Sequence, residues 1–274
     1  MSLPQKTIFY IIYQVITIAY ETKSEPKQKW LTPTSINTFI KCPRRYYYIH
    51  VARFKKPPNV HLIRGMTVHK TIESFYKLNI KQCQGFDFTD LKLIIYNLFK
   101  QEWDRKNATF SKIKLTKTDQ DYFFHASLKM LYHFVEEYYF NREFERPDPV
   151  LEKTLIDKDL MIRGRVDAIH ENNGDRPPLI IDFKTNKSKI ITPACSRQMG
   201  IYALLYYNNF NIIPDIKIHF LNFKNGLEKL PVSKSFLDFI KGLVLDIHQR
   251  IKSNDISDYP CVCGWCRKQY GHIL

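Results

Sequence analysis

The run Leu179–Thr185 reads LIIDFKT, a short apolar segment that ends in an acid and a lysine two positions apart. This pattern predicts a buried strand with charge at its tip. Because side chains alternate along a strand, Asp182 and Lys184 share one face and Phe183 points to the other. Burying unpaired charge is costly, so this tip is a candidate functional site, but an Asp-x-Lys at a strand end is by itself more often an ordinary surface ion pair.

A second strand is predicted upstream, at residues 160–171, where apolar and polar residues alternate. Residues 172–178, NNGDRPP, are dense in turn formers and indicate an antiparallel hairpin. A loop symmetric about its centre would place Asp167 directly opposite Asp182. A loop slipped by one residue would place the two carboxylates on opposite faces.

Facing carboxylates repel each other unless a cation or a shared proton lies between them. A hard divalent ion is the simplest partner, and oxygen ligands suit Mg²⁺ or Mn²⁺. Lys184 beside such an ion could orient an attacking water or stabilise charge on a phosphate oxygen. The hairpin therefore predicts a metal-assisted site.

The composition is that of a basic globular protein. The 274 residues suffice for one large domain or two small ones, and 44% of them are apolar. The net charge is +15, from 42 Lys and Arg against 27 Asp and Glu. This excess favours a polyanion as partner, most simply nucleic acid, although a basic composition without functional meaning is the alternative. The sequence has no P-loop or dinucleotide fingerprint.

An apolar run, Ile8–Tyr20, spans 13 residues, fewer than the roughly 20 that a membrane helix needs. Polar residues interrupt it and no small-residue cleavage site follows cleanly, which argues against a signal peptide. We interpret residues 1–30 as a strand or small appendage of a cytoplasmic protein without a membrane segment.

The rest of the chain shows helix and strand patterns. Thr34 or Ser35 is predicted to cap a first helix whose apolar face carries Ile36, Phe39 and Ile40. Further helices are predicted at 65–80, 88–106, 117–141, 196–209 and 233–252, and strands at 150–157, 160–171, 179–184 and 216–223. Helices on both sides of a central mixed sheet make the predicted fold α/β or α+β.

Three cysteines stand close together as Cys261-x-Cys263-x-x-Cys266, which indicates metal ligation rather than a disulfide framework. Structural metal sites usually need four ligands, so a fourth is expected from either His272 or the distant Cys42. Structural Zn²⁺ and a 4Fe–4S cluster both fit this spacing.

Five motifs, taken in order, resemble the RecB-like branch of the PD-(D/E)XK nuclease superfamily, most of all its iron–sulfur members, the AddB-type nuclease domain and the CRISPR-associated Cas exonuclease family. They are SINTFIKCPRRY at 35–46, GMTVH at 65–69, GRVD at 164–167, DFKT at 182–185 and QMGIY at 198–202. The resemblance implies a restriction-endonuclease-like domain over 31–274, with a helical insert at about 85–145 and a metal-cluster tail at 261–272.

The resemblance also implies residue roles in the catalytic centre. The Mg²⁺ or Mn²⁺ ligands would be His69, Asp167, Asp182 and the backbone carbonyl of Phe183. Lys184 would be the catalytic lysine.

Outside the metal ligands, Gln198 and Tyr202 lie one helical turn apart and would place DNA or support the catalytic residues. Arg44, Arg45 and Tyr46 are basic and aromatic together, and could follow a DNA strand, with core packing of the tyrosine as the alternative.

The iron–sulfur ligands implied by the resemblance are Cys42, Cys261, Cys263 and Cys266. The tail departs from the family pattern Cys-x2-Cys-x5-Cys, because His272 occupies its last position. Either Cys261 or His272 could complete the set, and Zn²⁺ stays an alternative to 4Fe–4S.

The predicted function is a metal-dependent DNA nuclease, an exonuclease on single-stranded DNA or DNA ends, in CRISPR adaptation or in DNA repair and recombination. A CRISPR-adaptation or helicase partner is expected. The alternatives are a non-catalytic nucleic-acid-binding module and a structural subunit of a helicase–nuclease or CRISPR assembly. An eroded catalytic motif would favour the first alternative, and all the expected groups are present.

Overall fold

A five-stranded mixed sheet forms the centre of the computed structural model. Its strands, neighbours in chain order, are β1 (Val150–Asp157), β2 (Ile162–His170), β3 (Leu179–Lys184), β4 (Asp215–Phe220) and β5 (Leu227–Leu230). All neighbouring strands are antiparallel except β3 and β4. The parallel pair requires a crossover connection, and a long helix between the two strands supplies it.

The structure describes residues 29–54, 59–82, 85–171, 174, 176–251, 253–264 and 266. His272 and all but the last two residues of the predicted appendage at 1–30 lie outside these ranges. In the part of the chain that is described, no helix is long and apolar enough to cross a membrane.

Eight α-helices are described around the sheet. They are α1 (Pro33–Lys41), α2 (Pro43–Tyr46), α3 (Val60–Tyr76), α4 (Phe88–Asp104), α5 (Asn107–Lys112), α6 (Lys117–Phe140), α7 (Pro193–Phe210) and α8 (Lys234–Arg250). The core on one face of the sheet includes side chains of α1, α7 and α8, and the core on the other face includes those of α3, α4 and α6. The predicted mixed sheet flanked by helices is confirmed.

The first helix begins earlier than the sequence predicted, and the proposed caps Thr34 and Ser35 are wrong. Thr32 is the N-cap: its hydroxyl accepts a hydrogen bond from the Ser35 backbone N at 3.1 Å. Ser35 Oγ in turn accepts one from the Thr32 backbone N at 2.8 Å. Pro33 fits the first helical position because it has no N–H to leave unpaired. Ile40, predicted on the apolar face, is 38% exposed.

The predicted hairpin between β2 and β3 has the symmetric register. Ala168 pairs with Ile181 and Ile169 with Ile180. Both pairs have the register of a symmetric loop, so the slipped alternative is excluded, and the pairing ends at Ala168, one residue before Asp167.

Candidate active site

The tip of β3 carries a buried ion pair. Asp182 is 2% exposed, and Lys184 Nζ lies 2.7 Å from its Oδ2. Phe183 points to the opposite core, where its ring packs against Phe134 on α6. The alternation predicted from the sequence therefore holds, and it separates a charged face of the strand from an apolar one.

A single side chain on α7 connects the polar groups of this face. Gln198 Oε1 accepts a hydrogen bond from Lys184 Nζ at 2.8 Å. Its Nε2 donates to Asp182 Oδ1 at 3.1 Å and to the Tyr202 hydroxyl at 3.0 Å. Tyr202, one turn further along α7, packs its ring against Gly164 of β2, where a larger residue would collide with it. Gln198 thus fixes both charged groups at the strand tip.

His69 from α3 and Asp167 from β2 lie beside this group. His69 Nδ1 is 3.5 Å from Asp167 Oδ2, and the backbone N–H of Phe183 donates to the same oxygen at 2.8 Å. His69, Asp167, Asp182, Lys184 and Gln198 all line one open cavity of about 450 Å³. The structure thereby brings together the residues singled out from the sequence, although their roles stay predictions.

Burial and mutual charge set the protonation of these groups. Burial raises the pKa of Asp182, although the Lys184 ammonium acts in the opposite direction. For Lys184 and His69, burial lowers the pKa, but nearby carboxylates, Asp182 and Asp167 respectively, outweigh it and the net shift is upward. The buried carboxylate therefore needs nearby positive charge to stay ionised, as expected at a cation site.

Sequence reasoning missed Glu152 on β1. Its carboxylate, His69 and Asp167 each offer a ligand atom, and these three atoms lie within 4.8 Å of one another. Asp182 is not a member of this set. The pairing of β1 with β2 is the signal that could have found Glu152. Its two neighbours in β1 pair with the two neighbours of Asp167 in β2, so Glu152 lies opposite Asp167.

The segment that the sequence predicts to follow DNA also makes contacts within the fold. Tyr46 is 2% exposed and its ring packs against Phe39 and Tyr259, which favours the alternative of core packing over contact with DNA. Arg44 Nε donates to the Tyr259 carbonyl at 2.6 Å, which ties α2 to the C-terminal region. Arg45 donates its backbone N–H to the thiol of Cys42.

Four cysteines, Cys42, Cys261, Cys263 and Cys266, place their sulfur atoms within 4.8 Å of one another. Cys42 Sγ lies 3.8 Å from Cys266 Sγ, which lies 3.6 Å from Cys263 Sγ. Ligands about 2.3 Å from a single tetrahedral ion would be about 3.8 Å apart. Ligands of a 4Fe–4S cluster bind four different iron atoms at the corners of a cube and would be about 6 Å apart. The two distances are those expected around one ion and are shorter than those expected around the cluster.

Burial raises the pKa of the Cys42 thiol, but the backbone N–H groups of Arg45 and Val262 and the neighbouring thiols outweigh it, and the pKa falls to about 7. Thiolates are the form in which cysteine binds metals; the shift favours that form at Cys42, whereas burial and the neighbouring thiols raise the pKa of Cys266 and oppose it there.

Comparison with known proteins agrees with this geometry. The family model described as the PD-(D/E)XK nuclease superfamily matches residues 30–267. The crystal structure of a candidate exonuclease from Eubacterium rectale aligns with a TM-score of 0.53 and 10% identity, over 98% of this chain and 94% of that one. At this identity the likeness shows the fold alone. No curated protein matches the sequence significantly.

Proposed function

The chain belongs to the PD-(D/E)XK nuclease superfamily, and we propose that it is a Mg²⁺- or Mn²⁺-dependent deoxyribonuclease that acts on single-stranded DNA or DNA ends. One observation carries the proposal. The ammonium of Lys184, held by Asp182 and Gln198, shares a cavity with His69 and Asp167. A lysine and carboxylates arranged in this way can stabilise charge on a phosphodiester and can position the water that attacks it.

The donor set suits a hard divalent cation. His69, Asp167, Asp182 and the carbonyl of Phe183 would hold it, and all four residues line the same cavity. When bound, the ion neutralises charge on the scissile phosphate and lowers the pKa of water.

The chain's own residues then supply position and protons. Lys184 Nζ, fixed by two acceptors, would orient the attacking water with one N–H and stabilise the developing phosphate charge with its positive charge. Gln198 would hold Lys184 in that position, and Tyr202 would hold Gln198. Because these side chains come from one strand and one helix, the arrangement is rigid before substrate binds.

DNA as the substrate is supported by the net charge of +15, and strand ends by the similarity in fold to a candidate exonuclease. CRISPR adaptation or DNA repair, with a helicase or adaptation partner, is the proposed setting and rests on the motif resemblance.

The test is cleavage of end-labelled single-stranded DNA with Mg²⁺ or Mn²⁺ by a Lys184→Ala variant. We expect cleavage to fall at least about 10³-fold, because the variant loses the ammonium that acts in the transition state. Lys184→Met, which keeps the apolar stem of the side chain, should be equally inactive. Duplex DNA and RNA of the same sequence establish the substrate preference.

Lys229→Ala is the matched control, since Lys229 pairs with Asp215 elsewhere on the sheet, at 3.0 Å, and should leave cleavage unchanged. Circular dichroism should show all variants folded. Wild-type rates in the folded Lys184 variants would refute the catalytic assignment.

We also propose that the four cysteines hold one structural Zn²⁺ rather than a 4Fe–4S cluster. The reason is that Cys266 Sγ lies 3.8 Å from Cys42 Sγ and 3.6 Å from Cys263 Sγ, as expected for ligands of one tetrahedral ion. Protein purified anaerobically should be colourless and contain about one zinc per chain. A brown protein that absorbs near 400 nm and contains about four irons per chain would overturn this proposal.

A further inference from the structure

Glu152 has a backbone conformation that strand residues rarely adopt. Its φ is +51°, in the left-handed region, although it lies inside β1. The flanking residues Leu151 and Lys153 pair normally with Ala168 and Val166 of β2. The strand is therefore distorted at this one residue, opposite Asp167, and resumes its register directly afterwards.

Strained backbone persists where the surrounding structure enforces it, and it concentrates at functional sites. Here the distortion accompanies a specific placement, because the Glu152 carboxylate lies within 4.8 Å of ligand atoms of His69 and Asp167. One imidazole nitrogen and two carboxylate oxygens form a donor set that suits Mn²⁺ or Mg²⁺. The three groups also line one open cavity of about 650 Å³, so an ion from solvent can reach them.

We propose that Glu152 is a ligand of the divalent cation, together with His69 and Asp167, an inference that rests on the proposed function. None of the sequence motifs includes Glu152. Glu152 would join the ligands named in the proposed function, and Asp182 would in addition position Lys184 through their ion pair. Arg165, which contacts Glu152 Oε2, would hold the carboxylate in place.

The alternative is that Glu152 serves only as the partner of Arg165 on the surface of β1. Direct Mn²⁺ binding, measured by calorimetry without DNA, separates the two. Glu152→Gln keeps the shape of the side chain and removes its charge. We expect its Mn²⁺ Kd to rise at least about tenfold, since even residues behind the ligands usually contribute that much.

Glu73→Gln is the matched control. Glu73 lines the neighbouring cavity with Glu152, but both its oxygens are bound by Lys70 and Lys77, so its loss should leave the Mn²⁺ Kd unchanged. A Glu152→Gly variant addresses folding, because glycine adopts positive φ without strain. It should unfold at the same temperature as the wild type or higher, while binding Mn²⁺ as weakly as Glu152→Gln.

Unchanged Mn²⁺ affinity in both Glu152 variants would overturn the inference and leave the nuclease proposal standing if the wild type cleaves DNA. A wild-type protein that neither binds Mn²⁺ nor cleaves DNA would overturn both.

Discussion

His219 is a buried histidine that the catalytic centre does not use. It lies on β4 among aromatic rings, and neither ring nitrogen has a hydrogen-bond partner among the described residues. Burial, with a smaller effect of His133, lowers the pKa of His219 to about 3. The folded protein therefore keeps this imidazole neutral at pH values where the unfolded chain protonates it.

The sign of the resulting pH dependence follows from linkage. The folded pKa is below the unfolded value, so the unfolded state binds more protons and stability falls as the pH drops below about 6.5. Between pH 7 and pH 5 this histidine alone should lower the free energy of unfolding by about 2 kcal/mol. In His219→Leu the free energy of unfolding should fall by about 2 kcal/mol less than in the wild type between pH 7 and pH 5, as measured by urea unfolding at both pH values. An identical loss in the variant and the wild type would contradict the assignment.

At the residue scale, the sequence predicted the polar face of β3 and its partners on α7 because both follow simple periods. Asp182 and Lys184 are two apart on a strand, and Gln198 and Tyr202 are four apart on a helix. Glu152 escaped because its position depends on a left-handed φ and on the pairing of β1, neither of which leaves a local pattern. For Tyr46 the sequence left core packing and DNA contact open, because composition does not tell a buried ring from an exposed one.

At the scale of elements, β2 departs from strict alternation beside the candidate site. Val166 and Ala168 are two residues apart, yet they belong to cores on opposite faces of the sheet. The strand is irregular at Asp167, opposite the distorted Glu152. Sequence periodicity assumes a regular strand, so it predicted the strand correctly and could not predict this local change. Such failures are expected where function overrides regular geometry.

The contact between β2 and α7 depends on Gly164. A methyl group added there would lie 2.8 Å from Tyr202 Cε1 and 3.0 Å from Leu205 Cδ1. We expect Gly164→Ala to destabilise the protein by about 1–3 kcal/mol in urea unfolding. DNA cleavage should fall as well, because Tyr202 positions Gln198.

Gly242→Ala provides the control for this prediction. Gly242 lies within α8, and nothing is within 4 Å of an added methyl group. Alanine there should raise the free energy of unfolding by about 1 kcal/mol and leave cleavage unchanged. Equal effects of the two glycine substitutions on stability and cleavage would contradict the role of the contact between Gly164 and Tyr202.

At the scale of the whole molecule, the sequence predicted the mixed sheet and helices on its two faces. The short elements α5 and β5 were missed because segments of six and four residues carry too little periodicity. The helices α4–α6 share a core with the sheet. For example, the ring centroids of Phe134 on α6 and Phe183 on β3 lie 5.7 Å apart. The order of elements follows local patterns, whereas the division into two cores depends on contacts between distant parts of the chain.

The cysteine set joins two such parts, because 224 positions separate Cys42 from Cys266. A metal that closes so long a loop should contribute strongly to the free energy of unfolding, because without it the unfolded chain gains conformational entropy. Cys42→Ser should lower the free energy of unfolding by about 3–5 kcal/mol and lower the bound metal. Cys195→Ser, outside the set, should change stability by less than about 1 kcal/mol. Equal thermal unfolding of both variants would contradict a stabilising metal.

The long separation of these cysteines also orders events during synthesis. At roughly 5–20 residues per second, a ribosome delivers Cys266 about 10–45 seconds after Cys42. Throughout that interval Cys42 cannot meet its partners, while Asp167, Lys184 and Gln198 have already been made. The proposed zinc would therefore bind after the catalytic residues have been made, and its presence would distinguish chains that include Cys266 from shorter ones.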